Sequence, residues 1–166
     1  MDTSMTSELV LNALRSMEFT QDLEPKQLEK LASIATYVTF SKGATIFREG
    51  DGSELVYLIM EGEVSLLTQV PGHGQVTILT VGPGQILGWS SFFPPQKKTA
   101  GAQTNTPTKG IAFNALQLQE LCTADHDIGF EIMSRVAQII SSRLSASRDL
   151  LLDMFEPSKE KKQRMK

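Results

Sequence analysis

Residues 42–64 read KGATIFREGDGSELVYLIMEGEV, and this stretch decides the fold. Its apolar runs, Ala44–Phe47 and Leu55–Met60, are set off by Gly43, Gly50, Gly52 and Gly62. Short runs rich in Val, Ile and Tyr between glycines read as strands joined by tight turns. The same texture continues outward. Tyr37–Phe40 precedes it, and Val64–Val70 and Val76–Val81 follow, with Pro71-Gly72-His73-Gly74 as a hairpin loop between the last two. Gly82 and Gly84 close the run, and two more strands are predicted over Ala100–Asn105 and Gly110–Phe113. Many short strands at close intervals predict an antiparallel roll or barrel.

The flanks are helical. Leu9, Val10, Ala13, Leu14 and Met17 recur at helical spacing. A second helix starts near Pro25, whose missing N–H is not needed in a first turn, and Leu28, Leu31, Ala32 and Ile34 form its apolar face. Asn114 is a cap for a short helix through Leu121. A longer helix runs from Asp125 to about Phe155, with Met133, Val136, Ile140, Leu144, Leu151 and Met154 as one stripe, until Pro157 stops it. The predicted class is mainly β with flanking α. It is an antiparallel β-roll or jelly roll of the cupin-like double-stranded β-helix kind, with N-terminal helices and a long C-terminal helix. The organisation reads as a helical segment 1–22, one domain 23–156 that includes the helix 125–156, and a basic tail 157–166.

The totals narrow the function classes. The chain has 166 residues, 40% hydrophobic and 21% charged, which suits a domain with a real core. Its formal charge is -3, not the basic balance of a nucleic-acid binder. The last eight residues, 159–166, carry net +4, which leaves -7 for the remainder. That tail reads either as a solvated end or as a contact for an acidic partner or membrane surface. The single Cys122 forms no intrachain disulfide, which fits a reducing compartment. The N-terminus lacks a basic signal region and no stretch is long enough to span a membrane, so the expected address is the cytoplasm.

The pattern Lys42-Gly43, Ile46-Phe47, Gly50-Asp51, Tyr57-Leu58-Ile59 and Gly62-Glu63-Val64 resembles the cyclic nucleotide-binding domain over roughly Leu23 to Phe155. That family includes Crp-type bacterial regulators, kinase regulatory subunits and gated channels. Gly88-Trp89-Ser90-Ser91-Phe92-Phe93-Pro94-Pro95 looks like a bacterial branch in which Gly-Trp-Ser replaces the usual Gly-Glu. Crp-type regulators add a DNA-reading module after the long helix. Only about ten residues follow Phe155 here, so direct DNA binding is not expected.

The resemblance implies a phosphate-binding cassette from Gly88 to about Gly101. In the family, backbone N–H groups at a short helix and an arginine hold the cyclic phosphate, and a glutamate accepts from the ribose hydroxyl. The implied ligand positions here are Gly88, Trp89, Ser90, Ser91, Lys98, Thr99 and Ala100. Trp89 precedes Lys98 by nine residues, the family's spacing of glutamate and arginine. Both signature side chains are therefore changed. Indole donates one hydrogen bond and accepts none, so Trp89 does not replace a carboxylate. Lys98 keeps a positive charge without the planar fork. At about 1.5–3 kcal/mol per charged hydrogen bond, the two changes lower affinity by about two to three decades.

Other chemistry is thin. His73 and His126 have no second histidine at ligand spacing, which argues against a metal site and a cupin-type enzyme. Cys122 follows Leu116, Leu118 and Leu121 and reads as a buried inert thiol. Asp125 and Asp127 read as helix caps. No cofactor is required, and cyclic AMP or cyclic GMP is the possible ligand. The surplus apolar surface of the last helix predicts a homodimer. Two non-enzymatic readings stand: a sensor of a small anion, cyclic nucleotide or other, and a ligand-free dimerisation or protein-interaction domain with a degenerate pocket.

Overall fold

The structure, a computed structural model, describes residues 3–52, 54–93 and 97–155. Its elements follow the predicted order. Helices α1 (Thr3–Ser16) and α2 (Pro25–Ser33) lead into eight strands. These are β1 (Ala35–Phe40), β2 (Thr45–Phe47), β3 (Leu55–Glu61), β4 (Val64–Val70), β5 (Gly74–Val81), β6 (Ile86–Leu87), β7 (Gly101–Thr104) and β8 (Thr108–Asn114). Helices α3 (Ala115–Ala124) and α4 (His126–Phe155) complete the chain, and short 3-10 turns cover Glu18–Thr20 and Trp89–Phe92. The chain divides into two compact units at Ile132/Met133, inside α4. Pro157 and the tail expected over 157–166 lie outside the described residues.

Two four-stranded antiparallel sheets form the roll, ordered β1-β8-β3-β6 and β2-β7-β4-β5. Side-chain alternation follows from the pleat. Tyr57, Ile59 and Ala112 from one sheet meet Val64, Leu66, Ala100 and Ala102 from the other in one buried cluster. The opposite face of the first sheet, carrying Val56, Leu58, Ile111 and Phe113, is equally dry. There α1 and α2 pack on β1, and α3 packs on β8. On β5 of the second sheet, Val76 and Ile78 are 38% and 56% exposed.

Local chemistry explains the helix ends. Pro25 takes the first turn of α2, and the Glu24 N–H donates to Gln27 Oε1 at 2.9 Å in a capping box. Asn114 Oδ1 accepts from the N–H groups of Leu116 and Gln117 and starts α3. α3 runs three residues past the expected end at Leu121, and only Asp125 separates it from α4. Asp125 accepts from Ile128 N–H at 3.2 Å as the α4 cap and pairs with Lys30 Nζ at 2.7 Å. The Lys30 contact, with that N–H, holds the Asp125 carboxyl below its ordinary range.

The β3–β4 turn depends on Gly62. Its φ is +96°, and a Cβ there would lie 2.6 Å from Pro107 O and from Thr108 Oγ1. We expect Gly62→Ala to destabilise the protein by about 3 kcal/mol in denaturant unfolding, from left-handed strain plus displacement of the Pro107–Thr108 loop. A loss under about 0.5 kcal/mol, the scale of a neutral surface change, would show that the loop moves aside freely.

Candidate functional site

The cassette is anchored at both ends by backbone. At its start, β6 pairs with β3 through Tyr57–Leu87 and Leu58–Ile86. The sequence reading did not include β6: two residues between glycine-rich turns carry no periodic signal. Gly88 follows with φ +79° and turns the chain into the 3-10 turn Trp89–Phe92. At the other end, Lys98 N–H donates to Asp51 O at 2.9 Å, and Gly50 N–H donates to Lys98 O at 2.8 Å. Lys97 bridges Gly52 across the same gap.

The 3-10 turn uses its own donors. Ser91 N–H reaches Gly88 O at 3.1 Å and Phe93 N–H reaches Ser90 O at 3.2 Å. Ser91 and Phe92 are buried, while Trp89 and Ser90 are half-buried. Trp89 meets Phe93 edge-on at 6.3 Å, and Phe93 stands 43% exposed. Gln119 of α3 donates to Phe92 O at 2.9 Å and ties the cassette to the helical layer.

Lys98 is the centre of the site, and it faces inward. Lys98 is buried just before the core residues Ala100 and Ala102, while its neighbours Lys97 and Thr99 are exposed. Lys98 is 2% exposed. Its Nζ donates to Leu55 O at 2.8 Å, to Gly88 O at 3.0 Å and to Ser91 Oγ at 2.7 Å. An ammonium has three protons, so this set satisfies it. Nζ also lies 4.7 Å from the centroid of the Phe47 ring, a cation–π distance. Burial pushes the lysine down from the ordinary 10.5 to about 8.

Gly88 and Lys98 form one unit. A Cβ on Gly88 would sit 2.7 Å from Lys98 Nζ and 2.9 Å from Leu55 O. The glycine thus serves the turn and makes room for the charge. Behind the ammonium the interior is aromatic: Phe47 stacks on Tyr57 at 6.3 Å, and Phe40 meets Tyr57 edge-on at 5.9 Å. Burial raises the Tyr57 phenol above its ordinary value.

Of the seven expected positions, the structure brings Gly88, Ser91 and Lys98 into one hydrogen-bonded knot. Trp89 and Ser90 border it, Thr99 is exposed, and Ala100 is core. Leu55 and Phe47 were missed as site residues. Leu55 acts through its carbonyl, which leaves no side-chain signature, and Phe47 reads in the sequence as an ordinary strand residue. Among the described residues no group of three or more His, Cys, Asp or Glu is placed to hold a metal. No described helix is long and apolar enough to cross a membrane. Cys122 is half-buried, and burial raises its thiol.

Comparison with known proteins agrees with this architecture. A curated relative, the CRP-like cAMP-activated global transcriptional regulator of Mycobacterium tuberculosis, is 27% identical over 135 residues, 81% of this chain. The chain spans 58% of that relative's length. A putative cyclic nucleotide-binding protein from Geobacter metallireducens GS-15 superposes with a TM-score of 0.70 at 29% identity, covering 80% of this chain and 96% of that one. A cyclic nucleotide-binding domain from Methylobacillus flagellatus KT gives a TM-score of 0.77 at 23% identity, over 92% and 86% of the two chains. The family model for the cyclic nucleotide-binding domain matches residues 37–125, more than half of the sequence. The chain belongs to the cyclic nucleotide-binding domain family.

Proposed function

We propose that the chain is a non-enzymatic regulatory module whose cassette is braced from within by Lys98. It works through protein contacts rather than by tight capture of cyclic AMP or cyclic GMP. One observation carries this reading: all three ammonium protons of Lys98 are already spent on Leu55 O, Gly88 O and Ser91 Oγ. A ligand phosphate would have to break that set and draw the ammonium out of the core. Trp89 adds to the argument, since it offers no acceptor for a ribose hydroxyl. Fold likeness does not decide the matter. Matching architectures include the regulatory domain of Toxoplasma gondii protein kinase A solved with cAMP and the regulatory subunit of a cAMP-independent protein kinase A from Trypanosoma brucei.

A second reading, a sensor of a small anion, draws on the positive charge kept at Lys98 and on exposed Lys97 and Thr99 beside it. In both readings the protein is a homodimer through α4. Leu144, Leu151 and Met154 are 70%, 56% and 74% exposed. The seven-residue step from Leu144 to Leu151, with Met154 three further on, is that of a coiled-coil seam.

Three measurements test these statements. Titration calorimetry with cyclic AMP and cyclic GMP is expected to give no saturable micromolar binding to well-folded wild type. Saturable binding that Lys98→Ala abolishes would overturn the brace and establish the nucleotide sensor. The second measurement follows the linkage of Lys98. Its pKa is depressed in the fold, so between about 8 and 10.5 the unfolded chain keeps a proton that the folded chain has released. Wild type should therefore gain stability relative to Lys98→Met across that window, by up to about 3 kcal/mol at 1.36 kcal/mol per unit. A difference that stays constant with pH would mean that the ammonium is solvated. The third is light scattering of Leu144→Asp, which should show monomers; an unchanged dimer mass would remove the seam.

A further inference from the structure

The edge strands of the two sheets are β1 and β6 in one, β2 and β5 in the other. A free edge is a template for another strand, and folds guard it by shortness, by charge or by a covering element. β6 has two residues and β2 three, and α1 and α2 pack on β1. β5 has eight, and among the described residues no strand pairs with its outer side. Charge does not guard it either. The hairpin 64–81 contains no Asp, Glu, Lys or Arg, in a chain that is 21% charged. Gln75, Val76, Thr77 and Ile78 are all exposed, so this part of β5 lies outside the core on both faces. Ile78 is the extra residue of a bulge, because Leu66 pairs with Leu79 and Leu67 with Thr77.

We propose that β5 pairs edge to edge, antiparallel, with β5 of a second copy of this chain, in a register centred on Thr77. The unpaired N–H and C=O groups of an edge call for an extended backbone as partner. Symmetry and side chains choose the copy. About a two-fold axis at Thr77, Val76 of each chain stands opposite Ile78 of the other, and the two Thr77 residues face each other. Each exposed apolar side chain gains an apolar one, and threonine opposite threonine is a favourable cross-strand pair. With no charge on the hairpin, nothing repels the copy. The contact is narrow, and the bulge shortens its regular part. It is therefore small beside the roughly 1,200–2,000 Å² of a stable interface, and it forms only in concentrated protein. It adds to the α4 seam proposed above without replacing it, so chains using both join into larger assemblies. The inference does not depend on whether the cassette binds a nucleotide.

Cross-linking of the full chain tests the register. In a Cys122→Ser background, Thr77→Cys should form a disulfide-linked dimer when concentrated protein is oxidised with diamide, because opposed residues of paired strands are close enough for that bond. Gln75→Cys, which the register sets opposite Leu79 of the copy, should cross-link at least tenfold more slowly. Sedimentation equilibrium separates this contact from the seam. Leu144→Asp should be monomeric when dilute and should approach a dimer mass when concentrated. Val76→Lys combined with Ile78→Lys should cancel that rise while the unfolding midpoint stays at the wild-type value. Equal cross-linking through Gln75→Cys and Thr77→Cys, or none through either, would overturn the proposal. So would a rise in mass that survives Val76→Lys/Ile78→Lys, which would assign the association to another surface.

Discussion

Lys98 is 2% exposed with its ammonium between three oxygens at 2.7–3.0 Å, and the geometry around it follows from the need to satisfy that charge. An isolated buried ammonium is too costly to keep, so its acceptors must be delivered by the fold. Pairing of β6 with β3 sets the Gly88 carbonyl beside that of Leu55. The 3-10 turn brings Ser91 back under the same nitrogen. The contacts of Lys98 with Asp51 and Gly50 fix its backbone at the right height. Each of these local structures has its own cause, and they converge on one nitrogen.

The two sheets of the roll have different surroundings. In the sheet β1-β8-β3-β6 the middles of β3 and β8 are buried on both faces, with helices packed on β1 and β8. The sheet β2-β7-β4-β5 shares the aromatic interior of Phe47 and Tyr57 but shows exposed apolar side chains at β5. The cassette spans this division. Leu87 and Gly88 continue the first sheet, while Lys98 and Ala100 lead into β7 of the second. Lys98 thus sits at the joint between the two sheets.

Much of the fold was legible in the sequence because its strongest signals are local. Gly62 and the run Leu55–Met60 announce a turn and a strand without reference to anything distant. Asn114 and Pro25 mark helix starts by the chemistry of orphan N–H groups. The candidate site was legible in position but not in direction. Placing Lys98 by its spacing from Trp89 located the cassette; whether the side chain points outward or into the core depends on Leu55, 43 residues away in sequence, whose carbonyl no side chain advertises. The end of α3 was misjudged because Asp125 interrupts helical backbone for a single residue.

The knot at Gly88 also limits which cation can stand at position 98. Arginine and lysine look interchangeable in charge. The space beside Gly88 is sized to a compact nitrogen, since even a methyl group there would come within 2.7 Å of it. A guanidinium is broader and brings five donors in a fixed planar fork, which does not match three oxygens gathered around one nitrogen. Lys98→Arg is therefore not a conservative exchange here, because the three oxygens that hold the ammonium are placed by the turn at Gly88, by Ser91 and by Leu55.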